Sequence, residues 1–251
     1  TSDTLTIPRR TGGLTAYAVG EGDSTTESDK NWDAVNAVAR KWAVRTRCSS
    51  ELAEDAIISV ADDLTSEMVY ALVYKEDLAE FTGDGTSTYH GINGVVNKIN
   101  DGNHAASIVT SAEQTFSAVI LGEFESMVGK LPEYAEANAK WYISRVGWAA
   151  SMMRLADAAG GNTRDIIEGK PGQMFLGYPV VHVQVMNKTT TDQASVIIAL
   201  FGDLRKAAIF GDRRGVSIAV SDQFHFDTDQ IGIRATERYD INVHDLGDGT
   251  D

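Results

Sequence analysis

The sequence has one cysteine, Cys48, and four prolines among 251 residues. One cysteine excludes a disulfide within the chain. A chain of this length buries about three quarters of its unfolded surface without such staples. No apolar run approaches the roughly 20 residues of a membrane-spanning helix, and no signal-peptide pattern opens the chain. Positive charge is scarce: 22 Lys and Arg stand against 36 Asp and Glu, a net charge of −14. That deficit excludes sequence-independent duplex binding, which depends on Lys and Arg neutralising phosphates. It equally excludes an anionic membrane surface as partner. The 23 glycines with so few prolines are not low-complexity sequence, and no repeat of fixed period is present.

The charge that is there comes in blocks. Glu51 to Glu80 holds nine acids and one base, Lys75, so this segment carries −8 of the −14. Arg40, Lys41, Arg45 and Arg47 form a basic block without an acid. Glu21, Asp23, Glu27, Asp29 and Asp33 surround only Lys30, and the stretch from Arg205 to Arg214, with Arg213 and Arg214, is basic again. One reading is a set of solvated faces. The sharper one is complementary patches between copies of the chain, where charge sets register and partner choice.

Patterning gives a mixed α+β chain. Leu5 to Ile7 and Leu14 to Val19 read as strands broken at Gly12-Gly13, with a turn at Gly20 to Ser24 and an exposed polar tip over 24–31. Trp42, Val44, Thr46 and Cys48 alternate with polar or small residues, which is strand periodicity. Together these predict a projecting hairpin. Ser49-Ser50 offers an N-cap. Leu52, Ala56, Val60, Leu64, Met68 and Leu72 then recur every four residues, predicting one helix of about 30 residues that ends at Gly83-Asp84-Gly85. Further helices are expected from Ala112 to Gly129 behind Ser111, after Pro132, and from Arg145 to Ala159 before Gly160-Gly161. Trp141 to Ile143 reads as a short buried strand. The remainder reads as β: Val180–Val185, Val196–Phe201, Lys206–Phe210, Val216–Val220 and Ile231–Val243, with a loose tail from Leu246.

Chemical signals are few. The Gly-rich stretches at 20–23 and 83–87 carry acids, and the second follows a helix, so they read as turns rather than phosphate cradles. His90, His104, His182, His225 and His244 lack metal-ligand spacing. His225 with Asp227 and Asp229 reads as a solvated loop before a cation site. Cys48 in an alternating strand reads as packed rather than nucleophilic. Glu237 shares a strand face with Ile233, Ala235, Tyr239 and Ile241, and a cationic partner in a structural ion pair is expected for it. No catalytic residue, metal ligand or cofactor-binding residue is assigned.

The order of these features resembles a known family. Its matching stretches are Ile7-Pro8-Arg9, Val19-Gly20-Glu21-Gly22 with Thr26 to Asp29, Ser49 to Asp55, Tyr74 to Asp77, Gly83-Asp84-Gly85-Thr86 with Gly91-Ile92, Leu176 to Val181, Phe201 to Leu204 and Arg234 to Asp240. In that order they resemble the major capsid protein of tailed double-stranded-DNA bacteriophages, the Hong Kong-type or Johnson fold. The resemblance implies a shell subunit without catalysis or cofactor. It implies residues 1–11 as the start of a peripheral domain, with the N-terminal arm largely absent, and 12–40 as the extended-loop hairpin. Residues 41–98 are then the peripheral domain with its spine helix over 50–82. An axial domain follows over 99–209, then peripheral C-terminal strands over 210–246 and a tail over 247–251. The implied partners are copies of itself as hexamers and pentamers in an icosahedral shell, with portal, scaffold and cementing proteins. DNA is enclosed without tight binding and no membrane is involved. The implied location is the virion capsid, assembled in the host cytoplasm. Candidate contacts between subunits are Glu21, Asp23, Glu27 and Asp29 against Arg40, Lys41, Arg45 and Arg47 or Arg213 and Arg214. The rivals are a nanocompartment or gene-transfer-particle shell of the same fold, an unrelated soluble acidic enzyme, and a non-assembling binding module.

Overall fold

The computed structural model describes residues 4–10, 13–51, 60–158 and 173–246. It is a mixed fold of helices and three separate sheets among these residues. Strand β1, Thr4–Arg10, pairs antiparallel with β2, Trp32–Val38, from Thr4 opposite Val38 to Arg10 opposite Trp32. The ribbon is held to the body at its base, where Val35 and Ala37 are buried. There the Val38 N–H donates to Asp240 at 2.7 Å, and Arg9 donates to the His244 carbonyl. The loop between the two strands is exposed, and its strands differ from the expectation. Leu14 to Val19 is irregular and exposed. The stretch that would pair with it, Ser24 to Asp29, is polar throughout, so an apolar strand there has no apolar partner.

The second sheet has the order β3-β9-β8. Strand β3 is Arg40–Ser49, β8 is Ala208–His225 and β9 is Gln230–Val243. The alternation at Trp42 to Cys48 therefore does mark a strand, paired with β9 rather than within the hairpin. The expected strands at Lys206–Phe210 and Val216–Val220 correct to the short helix Leu204–Ala207 followed by one 18-residue strand. Register shifts on either side of Arg214 absorb Arg213, Gly215 and Val216 without ending it.

Helix α1, Val60–Thr82, lies on one face of this sheet. Ser50 and Glu51 already carry helical geometry, and residues 52–59 of the expected helix lie outside the described residues. Met68, Leu72 and Ala79 of α1 pack against Trp42, Ile233, Ala235, Tyr239 and Ile241. The helix ends where two chain segments touch at glycines. A Cβ on Gly83 would sit 2.5 Å from the Ala79 carbonyl oxygen, and one on Gly94 2.7 Å from the Gly83 nitrogen. The Gly94 N–H donates to the Gly83 carbonyl at 2.9 Å. Asp84 accepts from the Thr86 N–H at 2.9 Å, closing the turn.

The third sheet has the order β5-β6-β4-β7. Its strands are β4, Lys140–Ile143; β5, Met174–Phe175; β6, Tyr178–His182; and β7, Ala199–Gly202. Trp141 and Ile143 are fully buried among Phe116, Phe124, Met152 and Phe175. The helix expected over 112–129 forms only as α2, Leu121–Gly129. Upstream, Thr115, Ser117, Val119 and Ile120 disfavour helix. Phe116 and Val119 are instead held in the core by an irregular segment. Ser111 serves a turn, accepting from the Glu113 N–H at 3.0 Å. Arg145 to Ala158 is helical, with a π-helical turn over Ala149–Met153. The expected stop at Gly160-Gly161 and the tail over 247–251 lie outside the described residues.

Candidate functional site

The three-stranded sheet gives the chain two chemically opposite faces. Along β3, Trp42, Val44, Thr46 and Cys48 turn toward α1, so Lys41, Arg45 and Arg47 occupy the other face. Cross-strand register places Arg238 directly opposite Lys41, and Arg234 directly opposite Arg45. Arg214 joins them from β8, its guanidinium donating to the Thr236 hydroxyl at 2.8 Å. Five of these cations stand beside one another across strands, and like charges directly opposite are unfavourable within a sheet. The arrangement favours an anionic surface against it. Arg40, adjacent in sequence, has the parity of Trp42 and belongs to the helix-side face. Arg213 lies within the register shift of β8. Sequence blocks alone do not assign Arg234 and Arg238 to this patch, because each is separated from the β3 block by nearly the whole chain.

The four expected acids sit in the projecting loop. Glu21, Asp23, Glu27 and Asp29 are all exposed. A turn at Glu21-Gly22 is closed by the Asp23 N–H donating to the Gly20 carbonyl at 3.2 Å, with Gly22 at φ 88°. The Thr15 N–H donates to Ser28 at 2.8 Å across the loop. Lys30 stacks its ammonium 3.9 Å above the Trp32 ring, which leaves the tip to its carboxylates. Leu14 and Tyr17 are 69% and 51% exposed on the same loop.

The helix-side face hides a different cluster. Glu237 is only 5% exposed and makes no ion pair among the described residues, so the expected cationic partner is absent. Its neighbours are acids instead. Burial, then the Asp212 carboxylate, pushes its pKa up. Glu76 of α1 is raised to about 7, by burial and then by Glu237, Glu80, Asp77 and Asp212. A buried carboxyl without a cation is accommodated by holding its proton. The Glu237 Oε1, the Tyr239 hydroxyl and the Trp42 indole Nε1 find no hydrogen-bond partner among the described residues. Trp42 stacks on Tyr239 at 5.5 Å, and Lys75 lies 4.1 Å over Tyr89. Nothing in this cluster pairs a nucleophile with a base.

The remaining candidates have structural partners. His90 packs edge-on against Trp42 at 4.7 Å, and His104 meets Asp101 at 3.0 Å. His182 contacts Gln173 and Trp148. No group of three metal-ligating side chains occurs among the described residues. Asp229 is engaged by Ser50, whose N–H donates to its carbonyl at 3.2 Å and whose hydroxyl donates to its carboxylate. Cys48 is half-buried against the core of the three-stranded sheet. An apolar cleft of about 880 Å³ opens beside α2 and β7, lined by Met127, Leu131, Tyr142 and Leu200. Its polar side chains serve the backbone: Glu123 accepts from the Ile120 N–H, Lys130 donates to the Ile108 carbonyl, and Asp203 accepts from the Arg205 N–H. No helix among the described residues is long and apolar enough to cross a membrane.

Comparison with known proteins agrees with this picture of a surface-dominated molecule. The model of the phage capsid family matches residues 1–246. No curated protein matches the sequence. Among solved structures, the chain is similar to the capsid of a native GTA particle at 15% identity and TM-score 0.76, covering 98% of this chain and 83% of that one. It is similar to a chain of Microbacterium phage Oxtober96 at 16% identity and TM-score 0.68, covering 97% and 81%. A chain of Mycobacterium phage Bobi is similar at 16% identity and TM-score 0.67, covering 99% and 83%. At such identities these likenesses speak for the fold.

Proposed function

The chain belongs to the phage capsid family, and from that premise we propose that it assembles as pentamers and hexamers into an icosahedral shell around packaged double-stranded DNA. Its role is that of a major capsid protein, structural and not enzymatic. In this reading the topology is the Johnson fold. Residues 12–40 are the extended loop, 50–82 the spine helix within a peripheral domain of 41–98 and 210–246, and 99–209 the axial domain. Portal, scaffold and cementing proteins are further partners, and assembly takes place in the host cytoplasm.

One observation carries the contact between subunits. A projecting loop presents Glu21, Asp23, Glu27 and Asp29, while the outer sheet face gathers Lys41, Arg45, Arg47, Arg214, Arg234 and Arg238. The loop of one subunit docks on this face of its neighbour, with Arg40 and Arg213 at the margins. Charge complementarity of this kind sets register and steers encounter. The double variant Glu21→Lys/Glu27→Lys is expected to stay monomeric and folded under conditions where the parent chain forms capsomers or shells, read by size exclusion and negative-stain microscopy. Normal shells from this variant defeat the docking. A parent chain that remains a 27.1 kDa monomer under all conditions defeats the shell reading itself.

The likeness to a GTA capsid supports a second reading, a gene-transfer-particle shell. The nucleic acid recovered from purified particles separates the two. One defined genome indicates a virus, and heterogeneous host fragments indicate a transfer particle.

A further inference from the structure

The acids beneath the end of α1 find no ion-pair partner among the described residues. Glu76 and Glu80 stand one turn apart on α1, on one side of the helix. Glu237 and Tyr239 share the helix-side face of β9, and Asp212 of β8 lies directly opposite Tyr239. Asp77 adds a further charge, acting on Glu76 and Glu80. The cations nearby are engaged elsewhere. Lys75 lies over the Tyr89 ring. Arg40, exposed and opposite Tyr239 on β3, acts on Asp240. Arg214 donates to Thr236 on the outer face, and His90 packs edge-on against Trp42.

Two observations point to a ligand here rather than to a solvated face. One lies at the floor of the cluster. The Tyr239 hydroxyl and the Glu237 Oε1 belong to side chains only 2% and 5% exposed, and neither finds a hydrogen-bond partner among the described residues. Burial and the carboxylates of Glu237, Glu76 and Glu80 push the Tyr239 pKa up, so its hydroxyl is aimed among them. Buried acceptors left without a donor are costly. The other lies at the mouth. Phe210 is 48% exposed and shares a face of β8 with Asp212. Its ring stacks on Tyr239 at 5.7 Å, and Tyr239 stacks on Trp42 at 5.5 Å. An open aromatic face beside carboxylates suits a guanidinium, which stacks on rings and donates through a planar fork of N–H groups. It suits a bare metal ion less, since no three His, Cys, Asp or Glu side chains among the described residues are placed to hold one.

We propose that Glu76, Glu80, Asp212 and Glu237, with the Tyr239 hydroxyl at the floor and the Phe210 ring at the mouth, bind one guanidinium group. The site lies within one chain and does not rest on the shell reading. The group is carried by a free ligand or by an arginine of a second copy. Its entry ionises carboxyls that otherwise hold protons, so protons leave as it binds. With Glu76 held up at about 7, affinity is about tenfold higher at pH 8 than at pH 6.

Agmatine, a guanidinium on a short amine chain, is the probe, titrated by calorimetry into the unassembled chain. One saturable site is expected at pH 8, weakened about tenfold at pH 6. Tyr239→Phe and Glu237→Gln keep the parent's shape, and each is expected to weaken binding by roughly tenfold or more. Thermal melts without agmatine are expected to show both variants at least as stable as the parent at pH 8, since each removes an unmet polar group or a charge. Hexamethonium, a dication without N–H donors, is expected to show no saturable binding. Absence of saturable agmatine binding at pH 8 overturns the site. So does equal binding of hexamethonium, or an affinity unchanged in either variant. In assembled particles at pH 6 without agmatine, loss of the protonated-carboxyl infrared band seen in the unassembled chain assigns the group to an arginine of a second copy. Persistence of that band assigns it to a free ligand.

Discussion

The sheet beneath α1 and the sheet around β4 bury their strands to different depths. In the first, β3 and β9 set one face against the core and line the other with cations. Its core face encloses Glu237 and leaves three polar atoms without a hydrogen-bond partner among the described residues. In the second, β4 buries one face completely and half-buries the other. Trp141 and Ile143 are fully buried, and the Trp141 indole donates to the Phe175 carbonyl at 3.0 Å. Phe124, Phe175 and Phe201 meet Trp141 at centroid distances of 5.5, 5.8 and 4.3 Å. The difference teaches that packing stabilises the β4 region, whereas charge and protonation adjust the α1 region. A shell subunit needs both: a rigid body, and a sheet whose surfaces respond to neighbours.

Four variants break or sharpen this contrast. Trp141→Ala is expected to cost the most, about 3–5 kcal/mol, because it opens a cavity amid aromatic rings. Urea denaturation reads it, and a cost below 1 kcal/mol, on the scale of an exposed site, contradicts the packing account. Gly94→Ala comes next, at about 2 kcal/mol or more, since its Cβ meets backbone atoms at 2.6 and 2.7 Å that cannot yield. A thermal melt unchanged from the parent excludes the close approach at the end of α1.

Glu76→Gln is smaller and depends on pH. Glu76 holds its proton more tightly in the folded chain than in the unfolded one. The stability linked to it is complete below about pH 4 and fades as pH rises through about 7. Glu237 follows the same direction. Glu76→Gln is therefore expected to match the parent at pH 4 and exceed it by about 1 kcal/mol at pH 8, after allowing for solvent screening of a half-buried group. A variant destabilised at pH 8 signals a cationic partner for Glu76. Monomer stability changes least in Glu21→Lys/Glu27→Lys, by less than about 0.5 kcal/mol. Assembly of the parent should weaken with added salt, as screening of exposed charge requires. Salt-independent assembly removes charge from the account of docking.

Much of the first region was legible in the sequence. Period-two alternation fixed β3 and β9 almost to the residue, and the four-residue recurrence fixed the course of α1 from Val60 to its glycine turn. The acidic loop was legible too, as a polar run flanked by glycines. The second region was read less well, and the physical reason is that its strands are only two to five residues long. Strands that short repeat an alternation too few times to be read, and Phe116 and Val119 look helical in spacing although they reach the core from an irregular segment. Leu14 to Val19 misled for another reason: a mostly apolar run was present, but no apolar partner strand existed to receive it.

The sequence by itself determined the class of the molecule: acidic overall, without disulfide, without a catalytic constellation, and ordered along the chain like a capsid subunit. Those properties are sums over residues or local periodicities, which need no knowledge of distant neighbours. Only the tertiary structure decided which charges act together. It set Arg234 and Arg238 beside Lys41 and Arg45, moved Arg40 to the other face, and enclosed Glu237 among acids where a cation was expected. Strand register across some 190 residues of intervening chain makes those choices. A one-residue slip would reverse every one of them, because alternate residues point to opposite faces.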